Sequence, residues 1–191
     1  MRLIFATNNV HKLKEVQQIF SSQIEIVSLK DVGFFDDIEE TGSTLDENAI
    51  IKARAVYAAT GSDCFADDTG LEVEALDGRP GVFSARYAGD GHNFEANIDK
   101  LLGELYGSEN RKARFRTVVC LILSGKEHLF EGVVDGEILL SRQGVGGFGY
   151  DAVFQPSEEN ISFAEMAPDA KNKISHRGRV MKSVKSFLDL Q

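Results

Sequence analysis

The sequence predicts an α/β fold in which a central mixed sheet is flanked by helices. Three observations carry this reading. Short apolar runs alternate with helix-period segments over the first half of the chain. A long hairpin pattern dominates the second half. No internal repeat, low-complexity tract or linker interrupts the 191 residues, a length that suits one domain, or two lobes sharing a core.

Taken in order, "RLIFAT" reads as a buried strand that breaks at Asn8-Asn9. Val10, Leu13, Val16 and Phe20 then recur at helical steps with Lys and Glu between them. "IEIVSL" is a short second strand, and residues 31–44 form a polar, acidic loop. Thr44 and Glu47 have capping-box spacing, so a helix starts there, runs through "LDENAIIKARAVYAAT" and stops at Gly61. "CFA" reads as a strand, "DDTG" as a tight turn and "LEVEAL" as an alternating strand. Residues 78–91 are loop-rich. Phe94, Asn97, Ile98, Leu101, Leu102 and Leu105 mark an amphipathic helix. "ARFRTVVCLILS" and "EHLFEGVVDGEILL" flank Gly125 as a long hairpin. The Gly-rich "GVGGFGYD" leads into a strand-like "AVF", and "SHRGRVMKSVKSFLDL" is helical with Ser175 as its N-cap.

Asp and Glu outnumber Lys and Arg by 30 to 21, for a net charge of -9. That argues against a duplex-binding surface, which needs a cationic face, but leaves room for a small phosphorylated ligand. The longest apolar run, Val118–Leu123, is far short of the roughly 20 residues a membrane helix needs. "MRLIFATNN" enters a strand directly and reads as no signal peptide. Cys64 and Cys120 both sit in strand-like runs outside any CxxC. They read as reduced, buried thiols of a cytoplasmic protein.

Five segments could carry chemistry. At "FATNNVHKLKEV" a helix N-terminus follows a strand, with Thr7, Asn8 and Asn9 as side-chain donors and Lys12 one turn in. This suits a phosphate, although an ordinary Asn-capped turn has the same pattern. "DDIEETGST" supplies Asp36, Asp37, Glu39 and Glu40, either as a solvated loop or as carboxylates for a divalent cation. In "ADDTG" two carboxylates end a buried strand, where charge is unfavourable unless compensated. A turn role for Asp67 through local backbone bonds explains one of them, and the other is left to face a cleft.

Gly144, Gly146 and Gly149 match GxGxxG, but late in the chain and ahead of a strand, which is the wrong context for a dinucleotide fold. The glycines read instead as allowing backbone to approach a flat ligand, with Phe148 or Tyr150 as a stacking surface, or as a plain hairpin turn with core aromatics. "KNKISHRG" sets Lys171, Lys173, His176 and Arg177 near a helix start, as substrate contacts or as a solvated basic stretch. HExxH, a Walker-type loop, a nucleophile elbow and a Cys/His metal cluster are all absent from the sequence.

Together, "TNNVHKLKEV", "EETGSTLDENAIIKARA", "FADDTGLEVEALDGRPGVFSARYAG", "GGFGYDAVF" and "SHRGRV" closely resemble the inosine triphosphate pyrophosphatase family, in this order and nearly end to end. The resemblance implies an elongated α/β fold with two lobes around a cleft, a homodimer and a Mg2+ requirement. The implied reaction hydrolyses ITP, dITP or XTP to the monophosphate and pyrophosphate. By the same resemblance Thr7, Asn8, Asn9, Val10, His11 and Lys12 would cradle phosphates, and Asp68 would be the general base. Glu39 would hold magnesium with Asp68, with Glu40 an alternative to Glu39. Thr69 would contact substrate where many relatives carry Ser. Phe148, Gly149, Tyr150 and Asp151 match the base pocket, and Lys171, His176 and Arg177 match the C-terminal substrate contacts. Asn8 departs from the Gly of some relatives. His176 and Arg177 can donate to the 6-carbonyl that inosine and xanthine present and adenine lacks. Two other readings remain: a pyrophosphatase of different base preference, and a non-catalytic nucleotide-binding module, which would have less use for paired carboxylates.

Overall fold

The computed structural model describes residues 1–20, 24–91 and 93–190. The chain divides into two compact units: Met1–Asp68 with Thr117–Gly132 and Arg177–Gln191, and Thr69–Arg116 with Val133–His176. Three long strands run through both, and the parallel pairings that make the sheet mixed lie in the first unit.

In the first unit the strand order is β2 (Glu25–Ser28), β1 (Arg2–Phe5), β3 (Cys64–Val73), β5 (Lys112–Leu123), β6 (Lys126–Ile138). β1 pairs in parallel with β2, Leu3 opposite Ile26, and with β3, Phe5 opposite Phe65. A strand with parallel neighbours on both sides is buried on both faces, which is why "LIF" is apolar without alternation. Helix α1 (Val10–Ile19) sends Val16 into the core, and α5 (His176–Leu188) adds Val180, Met181 and Val184. Val10 begins the apolar period yet stays exposed.

Helix α2 (Leu45–Thr60) starts with the expected capping box. Thr44 Oγ1 accepts the Glu47 N–H, Glu47 Oε2 accepts the Thr44 N–H, and Gly61 closes the helix in the left-handed conformation. Its buried face is Leu45, Asn48, Ala49, Lys52, Ala53 and Val56. Two polar residues one turn apart inside an otherwise apolar stripe are the first structural sign of a site.

In the second unit β3 pairs antiparallel with β4 (Pro80–Gly81), and β6 pairs antiparallel with β7 (Phe154–Pro156). Its core joins Leu71, Val73, Ile98 and Leu101 of α3 (Phe94–Glu104), and the aromatic cluster Phe115, Phe154 and Phe163. A short α4 (Pro168–Ile174), with Pro at its start, precedes α5.

The structure corrects three expectations and adds one helix. "DDTG" is no turn: β3 runs unbroken from Cys64 to Val73. The carboxylates do not end the strand because each is compensated where it lies, and Gly70 follows because β4 passes so close that a Cβ there would meet the Gly81 carbonyl oxygen at 2.7 Å. "LEVEAL" leaves the strand at Glu74 for a 3-10 turn. "AVF" is a 3-10 turn, Asp151–Val153, leading into β7. "PDAKNKI" is helical although its seven residues are too few for a clear period.

The capping box gives a stability prediction. Thr44→Ala removes the acceptor for the Glu47 N–H and should lower unfolding stability by about 1 kcal/mol. Urea denaturation followed by circular dichroism measures it, and a loss under a few tenths would mean the cap is dispensable.

Candidate active site

Asp67 and Asp68 are consecutive in a strand, so their side chains leave on opposite faces. On one face, Lys12 Nζ bonds Asp67 Oδ1 at 2.8 Å and Arg177 Nε bonds Asp67 Oδ2 at 3.2 Å. Arg177 also reaches Glu15 Oε2 at 2.6 Å through Nη1. On the other face, Lys52 Nζ lies 3.3 Å from Asp68 Oδ1 and 2.7 Å from Glu40 Oε1, while Asn48 Nδ2 is 3.3 Å from Asp68 Oδ2. Asn48 in turn accepts the Gly42 N–H at 2.8 Å, tying the acidic loop to α2.

The two carboxylates differ in electrostatics. Burial alone would raise Asp67, but Lys12 and Arg177 hold it well below the usual carboxylate range. Asp68 is pushed up by burial, against the pull of Lys52 and Lys12. Burial lowers Lys12 despite Asp67. For Lys52 burial acts downward too, yet Asp68 and Glu40 together leave it raised. Adjacent titratable groups pushed apart in this way are what a division between a fixed counter-ion and a proton acceptor requires.

The start of α1 is built by its own side chains. Asn9 Oδ1 accepts the His11 and Lys12 N–H groups at 2.9 and 3.1 Å, and Thr7 Oγ1 accepts the Asn9 N–H at 3.1 Å. Asn9 thus caps the helix through Oδ1, which leaves its Nδ2 able to donate. Asn8, Val10 and His11 are exposed beside it. Glu39 is exposed as well, and it is Glu40 that Lys52 joins to Asp68. Among the described residues no group of three or more His, Cys, Asp and Glu could hold a metal ion by itself.

The second unit holds the remaining expected residues. Asp151 Oδ2 accepts the Phe148 N–H at 2.8 Å and Lys171 Nζ at 2.6 Å. The Lys171 ammonium also lies 5.1 Å from the centre of the Phe148 ring, within cation–π range. Gly147 is at φ +71°, and a Cβ there would run into the Asp151 carboxylate. The Gly-rich loop is thus glycine-rich in order to pack on its own unit. Phe148 and Gly149 are half-buried, whereas Tyr150 is buried with its hydroxyl donating to the Ser84 carbonyl at 2.8 Å. Of the two aromatics expected to stack on a ligand, Phe148 is the more exposed. His176 is buried, stacked 4.6 Å from Phe115. Thr69, half-buried, opens the second unit.

Two expectations change. Asp67 does not brace a turn through local backbone; it is the centre of a buried ion-pair chain. Arg177, expected to face a base, is only 2% exposed and spends Nε and Nη1 on Asp67 and Glu15. Two desolvated carboxylates hold a guanidinium more strongly than an open position would. Sequence reasoning missed Glu15 and Asn48. A signal for Asn48 existed, since it precedes Lys52 by four residues on one face of a clearly capped helix.

Asp67→Asn should destabilise the fold by about 3 kcal/mol, because the buried Arg177 guanidinium and the Lys12 ammonium lose their shared counter-ion. Asp67 titrates lower folded than unfolded, so its contribution is complete above the unfolded carboxylate pKa of about 4 and fades as pH falls below it. Denaturant unfolding across pH should show the gap between the two proteins narrowing below about pH 4. A gap that stays constant there would mean that Asp67 is not the charge that matters.

The profile of the Ham1 family matches residues 3–187. The dITP/XTP pyrophosphatase of Christiangramia forsetii is 52% identical over 98% of this chain and 99% of its own length. That of Porphyromonas gingivalis is also 52% identical, over 98% and 97%. Among solved structures, a HAM1 protein from Coxiella burnetii superposes with a TM-score of 0.91 at 37% identity, covering 100% of both chains. The Staphylococcus aureus Ham1 protein gives 0.89 at 37% identity, covering 99% of this chain and 98% of its own. On these matches the chain belongs to the Ham1 family.

Proposed function

We propose that this chain is a nucleoside triphosphate pyrophosphatase that hydrolyses non-standard purine nucleotides (dITP, XTP and ITP) to the monophosphate and pyrophosphate. The observation that carries this is the unequal pair on β3: Asp67 neutralised by the half-buried Lys12 and the buried Arg177, and Asp68 with a raised proton affinity beside Lys52. Relatives named dITP/XTP pyrophosphatase at about half identity over nearly the whole chain support the substrate class.

In this reading Asp68 accepts a proton from water as the water oxygen attacks the α-phosphorus. The bond from that phosphorus to the oxygen bridging to the β-phosphorus breaks, and pyrophosphate leaves with the bonding pair. Lys12 and Lys52 stand on the two faces of the strand, where they can offset charge on phosphate oxygens. Arg177 and Glu15 keep Asp67, and through it Lys12, in place. No side-chain nucleophile is needed. In the second unit the Phe148 ring is the stacking surface for a purine, positioned by Asp151 and Lys171.

Magnesium fits the residues present. Lys52 already draws Asp68 and Glu40 onto one cationic centre, and magnesium is usually held by one or two carboxylates together with phosphate oxygens and water. Asp68 and Glu40 would hold it, in place of the pairing of Asp68 with Glu39 expected from the sequence. When bound, it would neutralise negative charge on the phosphate oxygens. We further propose a homodimer in the cytoplasm. No helix among the described residues is long and apolar enough to cross a membrane, and the acidic balance disfavours nucleic acid.

The deciding assay measures pyrophosphate release with magnesium from ITP, dITP, XTP, ATP and dUTP. Turnover of the first three and little of the last two is expected; equal turnover of ATP and ITP would overturn the base preference. Asp68→Asn should lower kcat by about 10²–10⁴-fold, the usual range for a lost general base, at every magnesium concentration and with the melting temperature kept. Near-normal kcat at saturating magnesium would remove Asp68 from that role. Light scattering at micromolar protein should give about twice the 21.0 kDa chain mass, and a persistent monomer contradicts the dimer.

A further inference from the structure

The stretch "GRPGVFSARYAG" contributes none of the residues given a role so far, yet it contains a buried serine with four hydrogen bonds. Ser84 Oγ accepts the Leu71 N–H at 2.8 Å and donates to the Gly81 carbonyl at 2.6 Å. The Ser84 carbonyl accepts the Tyr150 hydroxyl at 2.8 Å and Asn97 Nδ2 at 3.4 Å. Asn97, buried on α3, also donates to the Ala85 carbonyl at 3.1 Å and accepts the Ala88 N–H at 2.7 Å. Ser84 thereby links β3, the loop beyond β4, helix α3 and Tyr150.

Tyr150 lies two residues from Phe148, and the turn between them is otherwise held by Asp151. Asp151 ties down the Phe148 backbone N–H and, through Lys171, sets the cation against the ring. These bonds fix the turn at the Phe148 end and through the Asp151 carboxylate. The Phe148 ring also meets Phe94 of α3, with ring centres 6.1 Å apart, and the Tyr150 hydroxyl adds an anchor to the loop that Asn97 ties to the same helix.

We propose that Tyr150 is a positioning residue for the purine-stacking ring of Phe148, acting through Ser84 and Asn97 rather than by touching substrate. This rests on the reading of Phe148 given above. A stacking surface discriminates only when its plane is fixed before the ligand arrives, since ordering it on binding weakens affinity. Removing the anchor should therefore weaken binding more than it slows chemistry.

Tyr150→Phe tests this while keeping the buried ring, and the Ser84 carbonyl retains Asn97 as a donor. KM for ITP should rise about tenfold, roughly what one lost hydrogen bond allows, and kcat should fall by no more than about twofold. The melting temperature should drop by about 2–4 °C at most. The chain has no tryptophan, so Phe148→Trp supplies a lone fluorophore at the stacking position. Adding Tyr150→Phe to the Phe148→Trp protein should lower its fluorescence anisotropy without substrate. A KM within about twofold of wild type overturns the assignment. So does a raised KM with unchanged anisotropy, since Tyr150 then acts by another route. Absence of pyrophosphate release from ITP by the wild-type protein would instead sink the pyrophosphatase reading, and the substrate-free anisotropy would still decide whether Tyr150 holds the turn.

Discussion

Two neighbouring carboxylates on one buried strand do not bond the same counter-ion. The pleat sends them to opposite faces, so each face must supply its own cation, and each cation must come from an element packed on that side. This constraint explains much of the first unit. Lys12 on α1 and Arg177 on α5 serve Asp67, while Lys52 and Asn48 on α2 serve Asp68. The capping box, the parallel pairing of β1 with β3 and the burial of Val16 and Val180 bring those helices to the strand. The ion pairs then fix their rotation about it.

The compensation is deliberately uneven in its effect. Asp67 has two cations within hydrogen-bond distance and one of those is shared with Glu15 alone, so its charge is locked. Asp68 shares Lys52 with Glu40, and its other partner is a neutral amide. Burial therefore outweighs attraction at Asp68 and falls short of it at Asp67. One carboxylate becomes part of the scaffold and its neighbour keeps the capacity to take a proton. Buried ion pairs of this kind are weak contributors to net stability but sensitive to the loss of one partner.

The second unit solves a different problem, holding an aromatic ring partly open to solvent. Phe148 cannot be fixed by being swallowed into the core. It is held instead through its backbone, through the cation against its face and through a neighbour whose hydroxyl is anchored elsewhere. The glycines around it permit close packing of the loop on the Ala164 and Asp151 atoms beside it, so their resemblance to a nucleotide-binding fingerprint is a coincidence of composition.

The sequence by itself determined the alternation of strands and helices, the capped start of α2, the long hairpin and the importance of the Asp67-Asp68 pair. These are written in local periodicity and in the improbability of adjacent carboxylates within an apolar run, and both are properties of a few consecutive residues. It also marked Lys12, Lys171 and Arg177 as cations of interest. Only the tertiary structure decided whom they serve. Arg177 is 110 residues from Asp67 and 162 from Glu15, and no local pattern encodes a choice between a distant carboxylate and a ligand. The same holds for the unbroken course of β3. A pair of aspartates reads as a break until the cations that compensate them are known, and those arrive from helices at both ends of the chain. That Lys52 pairs with Glu40 while Glu39 stays exposed, and that Tyr150 is buried while Phe148 is half-buried, belong to the fold likewise: adjacent or near-adjacent residues are equivalent in sequence and differ only in the direction in which the folded backbone points them.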